Sequence, residues 1–234
     1  MKSGSPLELL ASVAEDQWGV VTRKQADRLG VTRKAFEHLS TPGKPLVRIA
    51  SGVYRLVGTP LDEHLALKAA WLQLDPSVFA YERTVEQGIV SHRSAAAIFR
   101  IGHLQEQTHE FTMSRRRQTR RSDVRLHLRR YQVDDCRRHE GLLLTRPARI
   151  VGDLLAERED PGAVGHLIAD ALRRDLDQPG RMAKSLMPHA GNFGLPRSDG
   201  VALLRWLLEL VGDPATDSWL RTAHASFLNN EDSP

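Results

Sequence analysis

Two helix-start signals stand ten residues apart near the N-terminus, with a helix stop between them. Thr22 followed three residues later by Gln25 is a capping box, in which side chain and backbone satisfy each other's first-turn donors. The helix it opens, Arg23 to Leu29, ends at Gly30, the residue best suited to a left-handed helix stop. Thr32 then caps a second short helix. Val31, Ala35 and Leu39 share one of its faces with Phe36 beside them, and Arg33, Lys34, Glu37 and His38 take the other. Two short helices joined through Leu29-Gly30-Val31 predict a helix-turn-helix.

The flanking segments extend that unit. Leu7, Leu10, Ala11 and Ala14 repeat at three and four, as an amphipathic first helix does. Leu46-Val47-Arg48-Ile49 and Val53-Tyr54-Arg55-Leu56 are β-prone runs around Ser51-Gly52, where glycine supplies the positive φ of a tight turn. Three helices and a basic hairpin make a winged helix, whose second motif helix enters the DNA major groove. Thr32, Arg33, Lys34 and His38 have side chains that bond base edges or phosphates. Arg23 and Lys24 are placed for phosphate, Lys44 adds a backbone contact, and Arg48 and Arg55 are expected on the outer face of the wing. Winged helices also serve as protein–protein modules, and a short basic helix is often only solvated.

Gly58-Thr59-Pro60 is the strongest internal boundary. The expected architecture is therefore α+β: a winged helix-turn-helix over residues 1–58, then a larger mixed α/β domain over 61–234. In the second part the pattern predicts a helix over Leu61–Leu74 beginning after Pro60, and another from Ser91 through Arg100. Strands are expected at His109–Met113, Val124–Leu128 and Leu142–Leu144, and helices at Ala148–Ala156, Val164–Leu172 and Val201–Val211. Asp160-Pro161-Gly162, Gln178-Pro179-Gly180 and Pro188 to Gly200 read as breaks.

Charge is unevenly spread. Residues 1–60 carry a net +4, 61–145 a net +3 and 146–234 a net −3, so an anionic partner suits the front of the chain. Arg outnumbers Lys by 27 to 6, a skew that GC-rich coding also produces, so placement carries more weight than number. Arg115, Arg116, Arg117, Arg120 and Arg121 lie between two expected strands with Asp123 as the only acid nearby. This run is either a second patch for nucleic acid or a partner, or a solvated hairpin loop. It holds no aromatic residue on which bases could stack.

Other functions find little support. No stretch approaches the apolar length of a membrane span, and Met1 to Pro6 lacks a basic start before an apolar run, so a cytoplasmic protein without membrane partners is expected. The single cysteine, Cys136, excludes an internal disulfide framework; its charged stretch leaves exposure open, and no base can be assigned to it. None of the ten histidines pair at zincin spacing, and no His/Cys cluster suits structural zinc. Ser91 and His92 are adjacent, which points their side chains apart, and Ser91 reads as a helix cap. Phosphate-binding and dinucleotide-binding glycine loops are absent. No catalytic residue, metal or cofactor is therefore expected, and the chain is read as a non-enzyme.

Trp18–Ala26, Gly30-Val31-Thr32 and the wing Ile49–Arg55 resemble the N-terminal winged helix of AbiEi-type antitoxins. Val90–Ala96, His109–Thr112 and Leu144–Arg149 resemble that family's C-terminal half, so the likeness runs over about residues 7–156. The resemblance implies a transcriptional autorepressor and antitoxin of a type IV toxin–antitoxin pair. Such a protein binds inverted repeats in its own promoter and opposes a nucleotidyltransferase-like toxin; the modest area that one winged helix buries suggests a homodimer on DNA. It also implies a DNA-reading helix carrying Thr32, Arg33, Lys34 and His38, and a wing carrying Arg48, Tyr54 and Arg55. Tyr54 equally suits a core aromatic that positions the hairpin. Residues Ala80 to Gly88 look like an insertion relative to the family. The alternative reading is a stand-alone winged-helix regulator whose larger domain dimerises or senses a ligand.

Overall fold

The two helix starts read at Thr22 and Thr32 form as expected. In the computed structural model, which describes residues 4–231, α1 (Pro6–Glu15) begins at Ser5, whose hydroxyl accepts from the Glu8 amide while the Glu8 carboxylate accepts from the Ser5 amide. Strand β1 (Val20–Thr22) runs into α2 (Arg23–Arg28), and Thr22 and Gln25 close the expected capping box at 3.0 and 2.9 Å. Gly30, at φ +78°, turns the chain into α3 (Arg33–Leu39), capped by Thr32. Strands β2 (Leu46–Ala50) and β3 (Val53–Leu56) form the wing, and β1 adds to it antiparallel, giving the order β1-β3-β2. No expected element corresponds to β1.

Leu10, Ala14, Val21, Ala26, Val31, Phe36 and Leu46 form the core of this part. Phe36 is buried, and Tyr54 meets it edge-on at 4.8 Å. Gly19 makes the corner before β1 at φ +76°, and a Cβ there would stand 2.3 Å from Thr59 Oγ1. Only glycine fits such an approach.

The chain divides into two compact units. The first comprises residues 1–90, 111–131 and 138–143; the second comprises 91–110, 132–137 and 144–234. The boundary expected at Gly58-Thr59-Pro60 falls inside the first unit. There α4 (Leu65–Leu74) starts four residues later than its pattern suggests. Asp62 explains the delay: its carboxylate accepts from the His64 amide at 2.8 Å and binds Lys68 at 2.5 Å, which fixes residues 62–64 as a loop. Residues 80–88 pack against α4 as two 3₁₀ turns, Ala80–Glu82 and Val85–Gln87. The buried Arg83 donates to the carbonyls of Trp71, Leu72 and Asp75, satisfying the end of α4 that helix geometry leaves unpaired.

A second sheet has five strands: β4 (Ile89–Val90), β5 (His109–Met113), β6 (Val124–Leu128), β7 (Cys136–His139) and β8 (Leu142–Thr145). Their order is β6-β5-β4-β8-β7, with β4 antiparallel to β5 and Val90 opposite Phe111.

Helices dominate the second unit: α5 (His92–Phe99), α6 (Pro147–Ala156), α7 (Pro161–Arg173), α8 (Pro179–Leu186), α9 (Gly200–Leu210) and α10 (Thr216–Glu231). Two of the expected breaks are in fact helix starts, because Pro161 and Pro179 occupy first-turn positions where the missing N–H costs nothing. Gly200 lets α9 approach α8, since a Cβ there would lie 1.9 Å from the Ala183 carbonyl oxygen.

Candidate nucleic-acid interface

In α3 the burial of Phe36 fixes which side faces water. Thr32, Arg33, Lys34 and His38 are all exposed, so the four residues expected to read DNA share the solvent side of one helix. Arg33 donates Nε to Glu37 Oε1 at 2.7 Å one turn later, and this bond holds the guanidinium above its ordinary range. Nucleic acid engaging Arg33 must therefore compete with Glu37.

The other expected contacts divide by burial. Lys24, Lys44 and Arg48 are exposed. Arg23 is partly covered, with Nη1 2.6 Å from Asp27 Oδ1 and the guanidinium 4.9 Å above the Phe36 ring. Tyr54 packs on that same ring, where it positions the hairpin. Arg48 and Arg55 do not share the outer face that their spacing suggests. The register sets Arg48 opposite Tyr54 and Val47 opposite Arg55, and cross-strand partners point to the same side, so the two arginines take opposite faces. Arg55 folds back to donate to the Thr59 carbonyl at 2.9 Å.

Arg23 and Lys24 meet the wing turn at a cleft of about 410 Å³, completed by Ser51, Gly52, Gln73 and Pro76. Gln73 carries no signal in the sequence, because α4 is buried nearly all round and shows no face to read; Pro76 lies just beyond its end. The Gln73 side-chain amide donates to the Ser51 carbonyl at 2.7 Å and accepts from Arg121 Nη1. Arg117 Nη1 donates to the Leu74 carbonyl. Arg121 also forms a two-pronged pair with Asp123, at 2.9 and 2.5 Å. Arg115, Arg116 and Arg120 are exposed. Two of the five arginines thus tether the loop, Arg117 while itself exposed, and the other three face water.

Two expectations in the second unit need correction. Ser91 Oγ and His92 Nδ1 share a hydrogen bond of 2.9 Å, although they are adjacent. His92 sits at φ +52° at the strand-to-helix corner, and this left-handed backbone swings its ring back onto Ser91. Ser91 stands at the N-cap position of α5, but its side chain accepts no capping hydrogen bond from the first-turn amides. Both residues are buried, and His92 Nε2 lies 3.9 Å from Glu157 Oε1. Cys136 is buried rather than exposed, and burial together with Asp135 pushes its thiol up to about 12.

One comparison bears on the N-terminal region. Residues 8–57 match the family described as a transcriptional regulator, the AbiEi antitoxin, so the resemblance read in residues 18–55 holds over the N-terminal region. The crystal structure of the RV2827C protein from Mycobacterium tuberculosis is similar at 18% identity and a TM-score of 0.48, over 92% of this chain and 80% of that one. No curated protein matches. No helix among the described residues is long and apolar enough to cross a membrane.

Proposed function

We propose, from a winged helix that lies within a match to transcriptional regulators, that this protein is a cytoplasmic autorepressor and antitoxin. It binds double-stranded DNA at inverted repeats in its own promoter, as a homodimer. It acts against a nucleotidyltransferase-like toxin of a type IV toxin–antitoxin pair, and it is a binding protein rather than an enzyme. Residues 1–58 are the DNA-binding domain in this reading, and 61–234 carry the antitoxin or interaction role. Thr32, Arg33, Lys34 and His38 read the major groove. Arg23, Lys24, Lys44, Arg48, Tyr54 and Arg55 contact or support the wing and backbone side.

One observation carries the reading: α3 turns Phe36 inward and leaves Thr32, Arg33, Lys34 and His38 together on the exposed side, beside a basic wing. The test is a gel-shift titration of the full chain on its own upstream region, with scrambled duplex as competitor. Retardation that survives the competitor and weakens with salt is expected. Equal affinity for scrambled duplex removes the repressor reading. Expression of the neighbouring gene with and without this chain then tests the antitoxin reading, which fails if the neighbour is harmless or stays toxic.

A further inference from the structure

We infer that the 115–121 loop is a second clamp on the DNA backbone, built onto the winged helix through Gln73. This rests on the DNA-binding reading above and extends the footprint beyond the recognition helix and wing.

A solvated hairpin loop rich in arginine leaves its guanidiniums in water, because surface ion pairs and side-chain ordering gain little. This loop does something else. Arg117 donates to the Leu74 carbonyl and Arg121 to the Gln73 side chain, 43 and 48 residues away in sequence. Gln73 passes the connection on, donating to the Ser51 carbonyl in the wing turn. Its amide is used in both directions, acceptor toward the loop and donor toward the wing, so a single side chain sets the two at a fixed spacing.

The charge follows from that spacing. The cleft that Gln73 lines holds Arg23 and Lys24 and no acidic residue. Arg121 reaches it through its bond to Gln73 and is paired with Asp123. Arg115, Arg116 and Arg120 are exposed on that tethered loop, Arg115 and Arg116 beside His127 at a second recess, so the clamp adds their charge to Lys24 and to Arg23, which Asp27 pairs. A duplex presents phosphates at regular intervals, and cations spread along an anchored loop match a backbone without reading bases. The lack of an aromatic residue within the run fits a phosphate contact rather than base stacking.

The experiment compares the full chain with R115A/R116A/R120A, on a long duplex from its upstream region and on a duplex trimmed to the winged-helix footprint. On the long duplex the variant's plot of log affinity against log salt is expected to flatten by about 2–3, near 0.9 for each phosphate that is no longer neutralised. Its ratio of specific to scrambled binding stays unchanged, and on the short duplex it equals the wild type. R115K/R116K/R120K restores the slope, since a phosphate contact needs charge rather than a guanidinium fork. Gln73→Leu, which keeps all three cations but cuts the link, is also expected to flatten the slope on the long duplex only. An unchanged slope in the triple variant overturns the inference while leaving the repressor reading intact. Failure of the wild type to bind either duplex overturns the repressor reading itself.

Discussion

Gln17 and Gln25 form a reciprocal amide pair in the buried interior of the first unit, each donating to the other's oxygen, at 2.9 and 3.1 Å. Each amide has further partners. Gln25 accepts from the Thr22 amide and donates to the Val78 carbonyl, and Gln17 donates to the Val20 carbonyl and accepts from the Ala80 amide. The pair thus caps α2 and stitches residues 78–80 to the helix-turn-helix, which is why that motif and α4 fold as one unit. Gln25→Leu leaves several buried polar groups unsatisfied, at about 1–3 kcal/mol for each that finds no water. The expected loss is about 2–4 kcal/mol, read as a lower midpoint in urea at unchanged slope. A midpoint shift too small to resolve overturns the account.

On the exposed side of α3, Glu37 holds Arg33 and adds a negative charge where a phosphate or base edge would sit. Glu37→Gln is expected to tighten DNA binding several-fold. Arg33→Ala is expected to cost about 1–3 kcal/mol and relax discrimination at one base pair if Arg33 reads a base. If Arg33 instead meets phosphate, all sequences weaken alike and the salt slope flattens by about 1. Fluorescence anisotropy on operator and scrambled duplexes separates the outcomes. Unchanged binding by both variants removes α3 as the reading helix.

Arg83 takes the place of a conventional helix cap at the end of α4, with its guanidinium 4.5 Å above the Trp71 ring. Burial pushes its pKa well down, so the fold carries a desolvation cost that three carbonyl bonds and the ring offset. Arg83→Met removes the donors and leaves the carbonyls of Trp71, Leu72 and Asp75 without them. The expected destabilisation is about 3 kcal/mol, since hydrogen bonds to charged groups contribute roughly 1.5–3 kcal/mol apiece and some carbonyls rehydrate. Arg83→Lys keeps the charge but not the fork, and is expected to fall between the two in thermal melts.

Local chemistry explains which parts of the fold were legible. The capping and turn roles of Thr22, Gln25, Gly30, Thr32 and Gly52 each span four residues or fewer, and each is played in the structure as its spacing implies. Pro161 and Pro179 misled because proline ends one element and begins the next with the same fixed φ. Strand β1 is three residues long, too short for alternation to show, and exists because β3 offers it an edge. Arg55 could not be oriented until pairing with Val47 and Val20 set its face. Gln73 joins residues 22 positions before it and 48 after it, and no periodicity encodes such a link. Helix α3 and its exposed side were thus visible in the chain, and the surface around them was not.

Cys136 supplies a test of the second unit that needs no DNA. Its thiol is buried and its pKa is raised from 9.0 to about 12, chiefly by burial, with Asp135 adding repulsion to the thiolate. The thiolate is the reactive form, so iodoacetamide at pH 8 is expected to leave the native protein unlabelled and to label it fully in urea. The sign of the pH dependence follows from the protons bound. Between pH 9 and about 12 the unfolded chain has lost the Cys136 proton while the folded chain keeps it. Stability from this group is therefore complete below pH 9 and falls as pH rises through that window. Cys136→Ala carries no such linkage, so the stability of the wild type relative to the variant is expected to decline across the alkaline range. Parallel stability curves, or rapid native labelling at pH 8, would place the thiol in water and overturn the burial of Cys136.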